Sequence, residues 1–249
     1  MRIVRSLLFY IILALTIIPL SLLLILSVPF TRPEFRYDCM RAWGRFMLGS
    51  LELCCGVKQR VIGMENCPDG PAVIMCKHQS AWECFWLGSY LPRRGAFIYK
   101  KSLNLIPFFG WALKSVGMLA IDRSHGKAAF QSFMERGPKF LQQGWWILIF
   151  PEGTRVPPGQ HIRYKSGGVR FAVADGTPIL PIALDSGLCW PKDSFAKFPG
   201  TVTVSIGRPI PTAGRPLREV CEEVESWIES ESLRIAKEDH PDFQRQLPQ

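Results

Sequence analysis

The segment that joins a predicted strand to the first candidate functional residues is Ala72-Val73-Ile74-Met75-Cys76-Lys77-His78-Gln79-Ser80-Ala81-Trp82-Glu83. It begins with a short apolar run that is partly β-branched and follows Pro-Asp-Gly-Pro, which predicts a buried strand over residues 72–76. His78 lies just past the end of this strand, and an acid, Glu83, follows five residues later. Histidine is the side chain that exchanges protons most readily near neutral pH, so this placement is typical of a general base.

The spacing of His78 and Glu83 limits how the two side chains can meet. Residues five apart on one continuous helix are separated by about 140° around its axis and lie on different faces. The pair therefore meets only if His78 precedes the helix and Glu83 lies in its first turn. The carboxylate would then fix the imidazole tautomer and stabilise the imidazolium. Taken alone, the two residues are more simply a surface histidine and a helix N-terminal glutamate that favours the helix dipole.

The N-terminal segment predicts a membrane anchor. Residues 7–30 carry no charge and are long enough, as a helix, to cross about 30 Å of hydrocarbon. No small-residue cleavage site follows them, so a removable signal peptide is not expected. Pro19 leaves two forms open, a spanning helix and a re-entrant element. We assign residues 1–31 to this anchor, 32–58 to an amphipathic helix, at the membrane interface or packed on the core, and 59–240 to the catalytic body.

Charge and cysteine usage indicate the compartment. The net charge is +9, and arginines follow the anchor at positions 32, 36, 41 and 45. This excess favours a body on the cytoplasmic face, which is the inner membrane in a bacterium, and attraction to anionic lipid headgroups. No nucleic-acid module is recognisable, so nucleic acid is not an expected partner. The eight cysteines form no C-x-x-C pair, which favours reduced thiols over a disulfide framework or a zinc site.

Beyond residue 71 the hydrophobic pattern alternates between short apolar runs and amphipathic helices. The predicted strands are 72–76, 97–99, 117–121, 146–150, 178–184 and 202–206. The predicted helices are 82–91, 106–116, 127–143, 164–175 and an acidic one that contains residues 217–228. Strands that alternate with helices predict a single layered α/β domain whose site lies outside the strand ends. A turn-rich link is predicted between the amphipathic helix and the strand that begins at residue 72.

Basic side chains follow several of these strands. Lys100 and Lys101 close one strand, Arg123 closes the next, and Phe150-Pro-Glu-Gly-Thr-Arg155 follows a third. In that loop, glycine permits close backbone approach and arginine can hold a phosphate through two parallel hydrogen bonds. Each cation alone is most simply a solvated surface charge. Together, at one edge with His78, they predict an anion site beside a base.

Four blocks resemble the glycerolipid acyltransferases, specifically the 1-acylglycerol-3-phosphate acyltransferases. His78-Gln-Ser-Ala-Trp-Glu83 is similar to the family's His-x4-Asp box, with Glu in place of Asp. Lys100-Lys-Ser-Leu with Gly117-Met-Leu-Ala-Ile-Asp-Arg123 resembles the second block. Phe150-Pro-Glu-Gly-Thr-Arg155 and Pro178-Ile-Leu-Pro-Ile-Ala-Leu184 resemble the third and fourth.

The resemblance implies acyl transfer from acyl-CoA or acyl-carrier protein to a lysophospholipid hydroxyl, giving phosphatidic acid, with no metal and no cofactor beyond the thioester co-substrate. His78 would be the base and Glu83 its partner. The residues implied to bind the acceptor and its phosphate are Lys100, Lys101, Arg123, Glu152, Gly153, Thr154 and Arg155. Within this set, Glu152 is expected to orient Arg155 or a substrate hydroxyl. Three alternatives stay open: another acceptor such as a lyso-ornithine lipid, a non-catalytic lipid-binding protein, and a thioester hydrolase.

Overall fold

A seven-stranded sheet in the order β1-β7-β6-β2-β5-β3-β4 forms the centre of the protein. The computed structural model describes residues 1–122 and 126–246. The strands are β1 (Val57–Ile62), β2 (Val73–Cys76), β3 (Gly95–Lys100), β4 (Leu119–Ile121), β5 (Trp146–Ile149), β6 (Ile179–Leu184) and β7 (Gly200–Ile206). All neighbouring pairs are parallel except β6 and β7, which are antiparallel. The predicted α/β fold class is confirmed.

Helices cover both faces of this sheet. They are α1 (Arg2–Leu26), α2 (Pro33–Cys55), α3 (Trp82–Tyr90), α4 (Phe109–Val116), α5 (Gly126–Gln142), α6 (Gly167–Asp175) and α7 (Leu217–Asp239). Strand β2 is apolar at every position because both of its faces are covered by helices. Ile74 and Cys76 pack in a cluster with α2 and α3, whereas Val73 and Met75 pack with α5, α6 and α7. A strand buried on both faces needs apolar residues at every position.

The carboxyl ends of four parallel strands lie side by side, in the order β2, β5, β3, β4. Met75 pairs with Ile149, Phe97 with Leu148, and Lys100 with Ile121. This register puts the residues that follow each strand at a similar height above the sheet. The sequence prediction that His78 and the basic strand ends share one edge therefore agrees with the topology.

Helix α1 lies along the body rather than extending away from it. It is continuous through Pro19, and its buried residues are Ser6, Phe9, Ser21 and Leu24, which recur along one face of the helix. Arg5 near its start donates a hydrogen bond to the Cys54 carbonyl, while Leu24 near its end packs in a core cluster with α2 and α4 residues. Of the helices described, α1 is the one that is long and apolar enough to cross a membrane.

Helix α2 packs on the body through α1 and α3, and its arginines bind backbone carbonyls. Arg36 donates to the Ser115 oxygen, Arg41 to those of Leu91 and Arg93, and Arg45 to that of Ser89. Its last residue is Cys55, because Gly56 adopts a left-handed conformation with φ of 73° and turns the chain into β1. Residues 57 and 58 therefore belong to the sheet.

Some boundaries differ from the sequence prediction for physical reasons. The turn-rich link predicted before residue 72 contains β1, an edge strand in which Lys58, Gln59 and Arg60 interrupt the apolar residues. The helix predicted from residue 106 begins at Phe109, after Phe108 with its positive φ of 61°. The helix predicted from residue 164 begins at Gly167. The remaining predicted strands and helices are present, with ends shifted by a few residues.

Candidate active site

The geometry required by the five-residue spacing is present in the structure. His78 lies two residues beyond β2, and Glu83 is in the first turn of α3. The distance from His78 Nδ1 to Glu83 Oε1 is 2.8 Å. Glutamate, one methylene longer than aspartate, thus reaches the ring. With Nδ1 bonded to a carboxylate, the opposite ring nitrogen is the one that can accept a proton.

Glu83 is fully buried and held by donors on both carboxylate oxygens. Besides His78, Oε1 accepts from the backbone N–H groups of Gln79 and Ser80, each at 2.7 Å. Oε2 accepts from the hydroxyls of Ser80 at 3.0 Å and Ser186 at 2.7 Å. Burial acts to raise the pKa of Glu83, but the bonds from His78, Ser186 and Ser80 outweigh it and hold the pKa below its usual value. The carboxylate is therefore ionised and fixed, as an imidazolium partner must be.

The loop after β5 clamps His78 from a second side. The Phe150 ring stacks on the imidazole, with centroids 3.9 Å apart and planes at 14°. The Val156 N–H donates to the His78 carbonyl at 2.8 Å, and Glu152 Oε2 accepts from the His78 N–H at 2.6 Å. Sequence analysis identified this loop only as an anion site. Its contact with the histidine backbone depends on β2 and β5 being neighbours, which no local pattern shows.

The side chain of Glu152 contacts Lys77 and the backbone of His78. We expected it to orient Arg155 or a substrate hydroxyl, within the acceptor-binding set. Its carboxylate is buried, with one oxygen on the His78 N–H and the other 2.8 Å from the Lys77 ammonium. Burial raises the pKa of Glu152 to about 7, against the lowering effect of Lys77. Glu152 therefore contacts the backbone of His78 and a buried lysine, and it is not among the walls of the cavity that Arg155 lines.

Arg155 is half-buried and lines a cavity of about 370 Å³. The cavity walls include Ser80 and Ala81, from the loop that carries His78, and Trp190. Within the described part of the chain, Arg155 has no hydrogen-bond or ion-pair partner. A guanidinium that is partly desolvated and unpaired is suited to bind an anion.

The rest of the Glu-Gly-Thr-Arg loop is open at the surface. Thr154 is exposed, and Gly153 has a φ of 72°, a conformation that side chains rarely adopt. A Cβ added at Gly153 would lie 2.5 Å from the Lys165 ammonium, so this lysine approaches the loop closely. Lys165 is a basic residue that sequence analysis missed, since it lies ten residues beyond Arg155 and outside every block.

The structure does not join the remaining basic residues to Arg155. Lys100 ends β3 and Lys101 begins the next turn, and both are exposed. They share the strand-end edge with His78, but they are absent from the walls of the Arg155 cavity. Arg123 lies outside the described residues. Among the residues that are described, no group of three or more His, Cys, Asp or Glu side chains could hold a metal ion.

Comparison with known proteins places this site in a family. The acyltransferase family model matches residues 58–185. A 1-acyl-sn-glycerol-3-phosphate acyltransferase of Pseudomonas aeruginosa is 38% identical over 239 residues, which covers 94% of this chain and 92% of that protein. A chloroplastic 1-acyl-sn-glycerol-3-phosphate acyltransferase of Arabidopsis thaliana is 30% identical over 226 residues, which covers 87% of this chain and 61% of that protein.

A solved structure confirms the fold. The crystal structure of the 1-acyl-sn-glycerophosphate acyltransferase from Thermotoga maritima superposes with a TM-score of 0.78 at 23% identity, covering 94% of this chain and 95% of that one. The resemblance in the four sequence blocks is thereby confirmed at the level of the family, and the matched residues contain both His78 and Arg155. This chain is an enzyme that belongs to the acyltransferase family, whose known members include 1-acyl-sn-glycerol-3-phosphate acyltransferases.

Proposed function

We propose that this enzyme transfers a fatty acyl group from an acyl thioester to the free hydroxyl of 1-acylglycerol-3-phosphate and so produces phosphatidic acid. The observation that carries the proposal is the His78–Glu83 pair, with Nδ1 and Oε1 2.8 Å apart at the carboxyl ends of parallel strands. The Pseudomonas enzyme that is 38% identical is named for this activity, and the match covers nearly its whole length. This similarity supports the choice of acceptor.

His78 acts as the base in a direct transfer. Its second ring nitrogen takes the proton of the acceptor hydroxyl as that oxygen forms a bond to the thioester carbonyl carbon. The carbon–sulfur bond then breaks, and the proton passes from the imidazolium to the departing thiolate. Glu83 stabilises the imidazolium between these steps, and the Phe150 ring keeps it in plane. The products are an ester and a free thiol.

Arg155 is proposed to hold the acceptor phosphate. It is a half-buried cation without a protein partner among the described residues, in a cavity bounded by residues next to His78. Lys165 lies close to Gly153 but outside the walls of the Arg155 cavity, and is a further cation beside this loop. Lys100, Lys101 and Arg123 are then left for the outer part of the acceptor or for the membrane surface. Gly153 gives the loop its turn, since its φ is 72°, and Thr154 is exposed beside Arg155.

The donor is proposed to be acyl-CoA or acyl-carrier protein, with no metal or further cofactor. Direct attack by an activated hydroxyl on a thioester needs a base and a stabilised oxyanion, and both can be supplied by protein groups. Either donor delivers the same thioester carbon, so the reaction at His78 is the same for both.

One assay tests the proposal against its rivals. Purified enzyme is given an acyl thioester with 1-acylglycerol-3-phosphate, with a phosphate-free monoacylglycerol, with a lyso-ornithine lipid, or with no acceptor. We expect phosphatidic acid with the first acceptor, much slower transfer to the others, and loss of transfer in His78→Ala. Fatty acid release at an unchanged rate without acceptor would indicate a hydrolase instead. Turnover that survives His78→Ala would exclude this histidine as the base.

We also propose that α1 lies in the membrane interface alongside the body, which would then be on the cytoplasmic face. The helix is packed on the protein along one side, and its opposite side exposes Leu7, Leu15 and Leu26. A second exposed apolar group follows β3 and comprises Leu105, Ile106, Phe108, Phe109 and Trp111. Helix α1 contacts α4, so the two apolar surfaces adjoin. Lipid is the natural cover for such a surface next to lysines.

Labelling with a membrane-impermeant maleimide distinguishes an interfacial from a spanning helix. Cysteines are placed at Ile3 and at Val28, near the two ends of α1, and each variant is labelled in sealed vesicles of one orientation. The parent protein measures the background from its own cysteines. An interfacial helix gives equal labelling at both positions, accessible from the cytoplasmic side. Labelling of the two positions from opposite sides would mean that α1 spans the bilayer.

A further inference from the structure

A buried lysine directly precedes the proposed base. The Lys77 side chain is 2% exposed, and its ammonium lies 2.8 Å from Glu152 Oε1 and 2.7 Å from Glu229 Oε1. Burying a lysine is unfavourable unless its charge is compensated, so two carboxylates at this distance indicate a built arrangement. The direct transfer mechanism gives this lysine no role.

The contacts of Lys77 connect the C-terminal helix with the base. Glu229 lies on α7, and its Oε1 also accepts a hydrogen bond from the Tyr164 hydroxyl at 2.7 Å. Glu152 Oε2 accepts the backbone N–H of His78 at 2.6 Å. A continuous series of bonds therefore runs from α7 through Lys77 and Glu152 to the peptide of His78. We call these three residues, Glu229, Lys77 and Glu152, the support triad.

We propose that the support triad positions His78, with Glu229 on α7 as a positioning residue that acts through Lys77 and Glu152. This inference rests on His78 being the base. Two further observations favour it. Glu229 is 152 positions from Lys77 in the sequence, so α7 must be docked before the triad forms. The Glu229 side chain is only 24% exposed, which strengthens its attraction to the ammonium compared with a surface pair.

The triad holds two carboxylates and one ammonium, so its charge is unbalanced when both acids are ionised. Burial raises the pKa of Glu152 to about 7, Lys77 lowers it and Glu229 raises it further. The other titratable groups near the triad are Tyr164 and the buried thiol of Cys76. His161, which is paired with Glu225, lines a second cavity, separate from that of Arg155, together with Lys77 and Glu229. An ionised Glu152 is the stronger acceptor for the His78 N–H, so the triad loosens as pH falls through this range.

This charge balance gives two variants opposite expected effects. Glu229→Gln removes the charge that raises the Glu152 pKa, so the acid limb of the kcat–pH profile should move to lower pH by about one pH unit. Lys77→Met removes the charge that lowers the Glu152 pKa, so the acid limb of the kcat–pH profile should move to higher pH. In both variants, kcat at its plateau should fall several-fold while the acceptor KM stays within about twofold, because none of the three residues lines the Arg155 cavity that is proposed to hold the acceptor phosphate.

Two further variants keep the test decisive if Lys77→Met does not fold. Glu152→Gln retains an acceptor oxygen for the His78 N–H but cannot ionise. The fall in kcat at low pH that is due to protonation of Glu152, which Glu229→Gln should shift, should therefore be absent in this variant. Glu222→Gln is the matched control, since Glu222 lies on the same helix in an exposed pair with Arg218. It should leave both kcat and the pH profile unchanged.

The outcomes separate this inference from the proposed function. Retained activity in His78→Ala would overturn the proposed function. If His78→Ala is inactive but Glu229→Gln shows the wild-type kcat and pH profile, the positioning role of the support triad alone is overturned. Lower thermal stability of Glu229→Gln with an unshifted pH profile would also overturn it, because α7 would then only hold the fold together.

Discussion

The hydroxyl of Ser186 donates a hydrogen bond to Glu83 Oε2 at 2.7 Å, although the two residues are 103 positions apart in the sequence. Ser186 follows β6, and Glu83 follows β2, which is the parallel neighbour of β6. The Glu83 carboxylate is therefore fixed from two adjacent strand ends. Its orientation depends on the assembled sheet rather than on the His78–Glu83 segment alone.

Glu83→Gln should lower kcat by at least about 100-fold, because an amide cannot stabilise an imidazolium as a carboxylate does. The protein should remain folded, since the amide oxygen can still accept from the backbone N–H groups of Gln79 and Ser80. Glu83→Asp should retain part of the activity, because the shorter side chain keeps its charge but cannot reach all of its donors. Steady-state kinetics and circular dichroism measure both effects. Full activity in Glu83→Gln would refute the dyad.

Phe150→Leu should lower kcat about two- to tenfold with little change in KM. The ring stacks on the imidazole at 3.9 Å, and an aromatic pair contributes about 0.5–1.5 kcal/mol beyond its buried area. Phe133→Leu is the matched control, since Phe133 stacks on Phe171 in the core, away from His78. The control should lose thermal stability but keep its kcat. Equal kcat losses in the two variants would mean that Phe150 acts only through packing.

Local patterns in the sequence were enough to predict most of the fold. The apolar runs at β2, β5 and β6 are buried on both faces, so their signal is strong. Strand β1 was missed because it pairs at the edge with β7, and Lys58, Gln59 and Arg60 interrupt its apolar residues. The His78–Glu83 geometry was predictable because both residues lie within one strand–turn–helix segment.

The rest of the site was not predictable, since it depends on contacts between distant segments. Ser186, Lys165 and Glu229 belong to no block and reach the site only through strand order and helix docking. The contacts of Glu152 were not predictable for the same reason, because its burial against Lys77 cannot be seen in the loop sequence. Likewise, nothing in the local sequence of α2 indicates that its arginines bind backbone carbonyls.

His240 at the end of α7 should stabilise the fold mainly at acid pH. Its Nε2 lies 3.4 Å from Asp185 Oδ2, and this carboxylate raises the pKa of His240 against the effect of burial. A histidine whose pKa is raised on folding contributes stability below its unfolded value of about 6.5, and this contribution disappears as pH rises through the folded value. His240→Ala should therefore lower the free energy of unfolding by up to about 1 kcal/mol near pH 5.5, with screening by solvent included.

The measurement is urea unfolding of wild type and His240→Ala in the same detergent at pH 5.5 and at pH 8.5. The difference between the two proteins cancels the titration of groups that they share. It should be larger at pH 5.5 than at pH 8.5. A difference that grows with pH would show that His240 acts as a neutral packing group and not as the charged partner of Asp185.

Arg155→Lys should lower kcat/KM for a phosphate-bearing acceptor by about 10- to 100-fold. Arg155 lines its cavity without a protein partner among the described residues, and lysine offers a point charge in place of a planar fork. The lost charge-assisted hydrogen bonds correspond to about 1.5–3 kcal/mol. The deciding comparison is with a monoacylglycerol, which wild type should use poorly and Arg155→Lys should use no worse. An equal fractional loss on both acceptors would mean that Arg155 holds the loop or the donor, because only a contact with the phosphate makes the loss depend on that group.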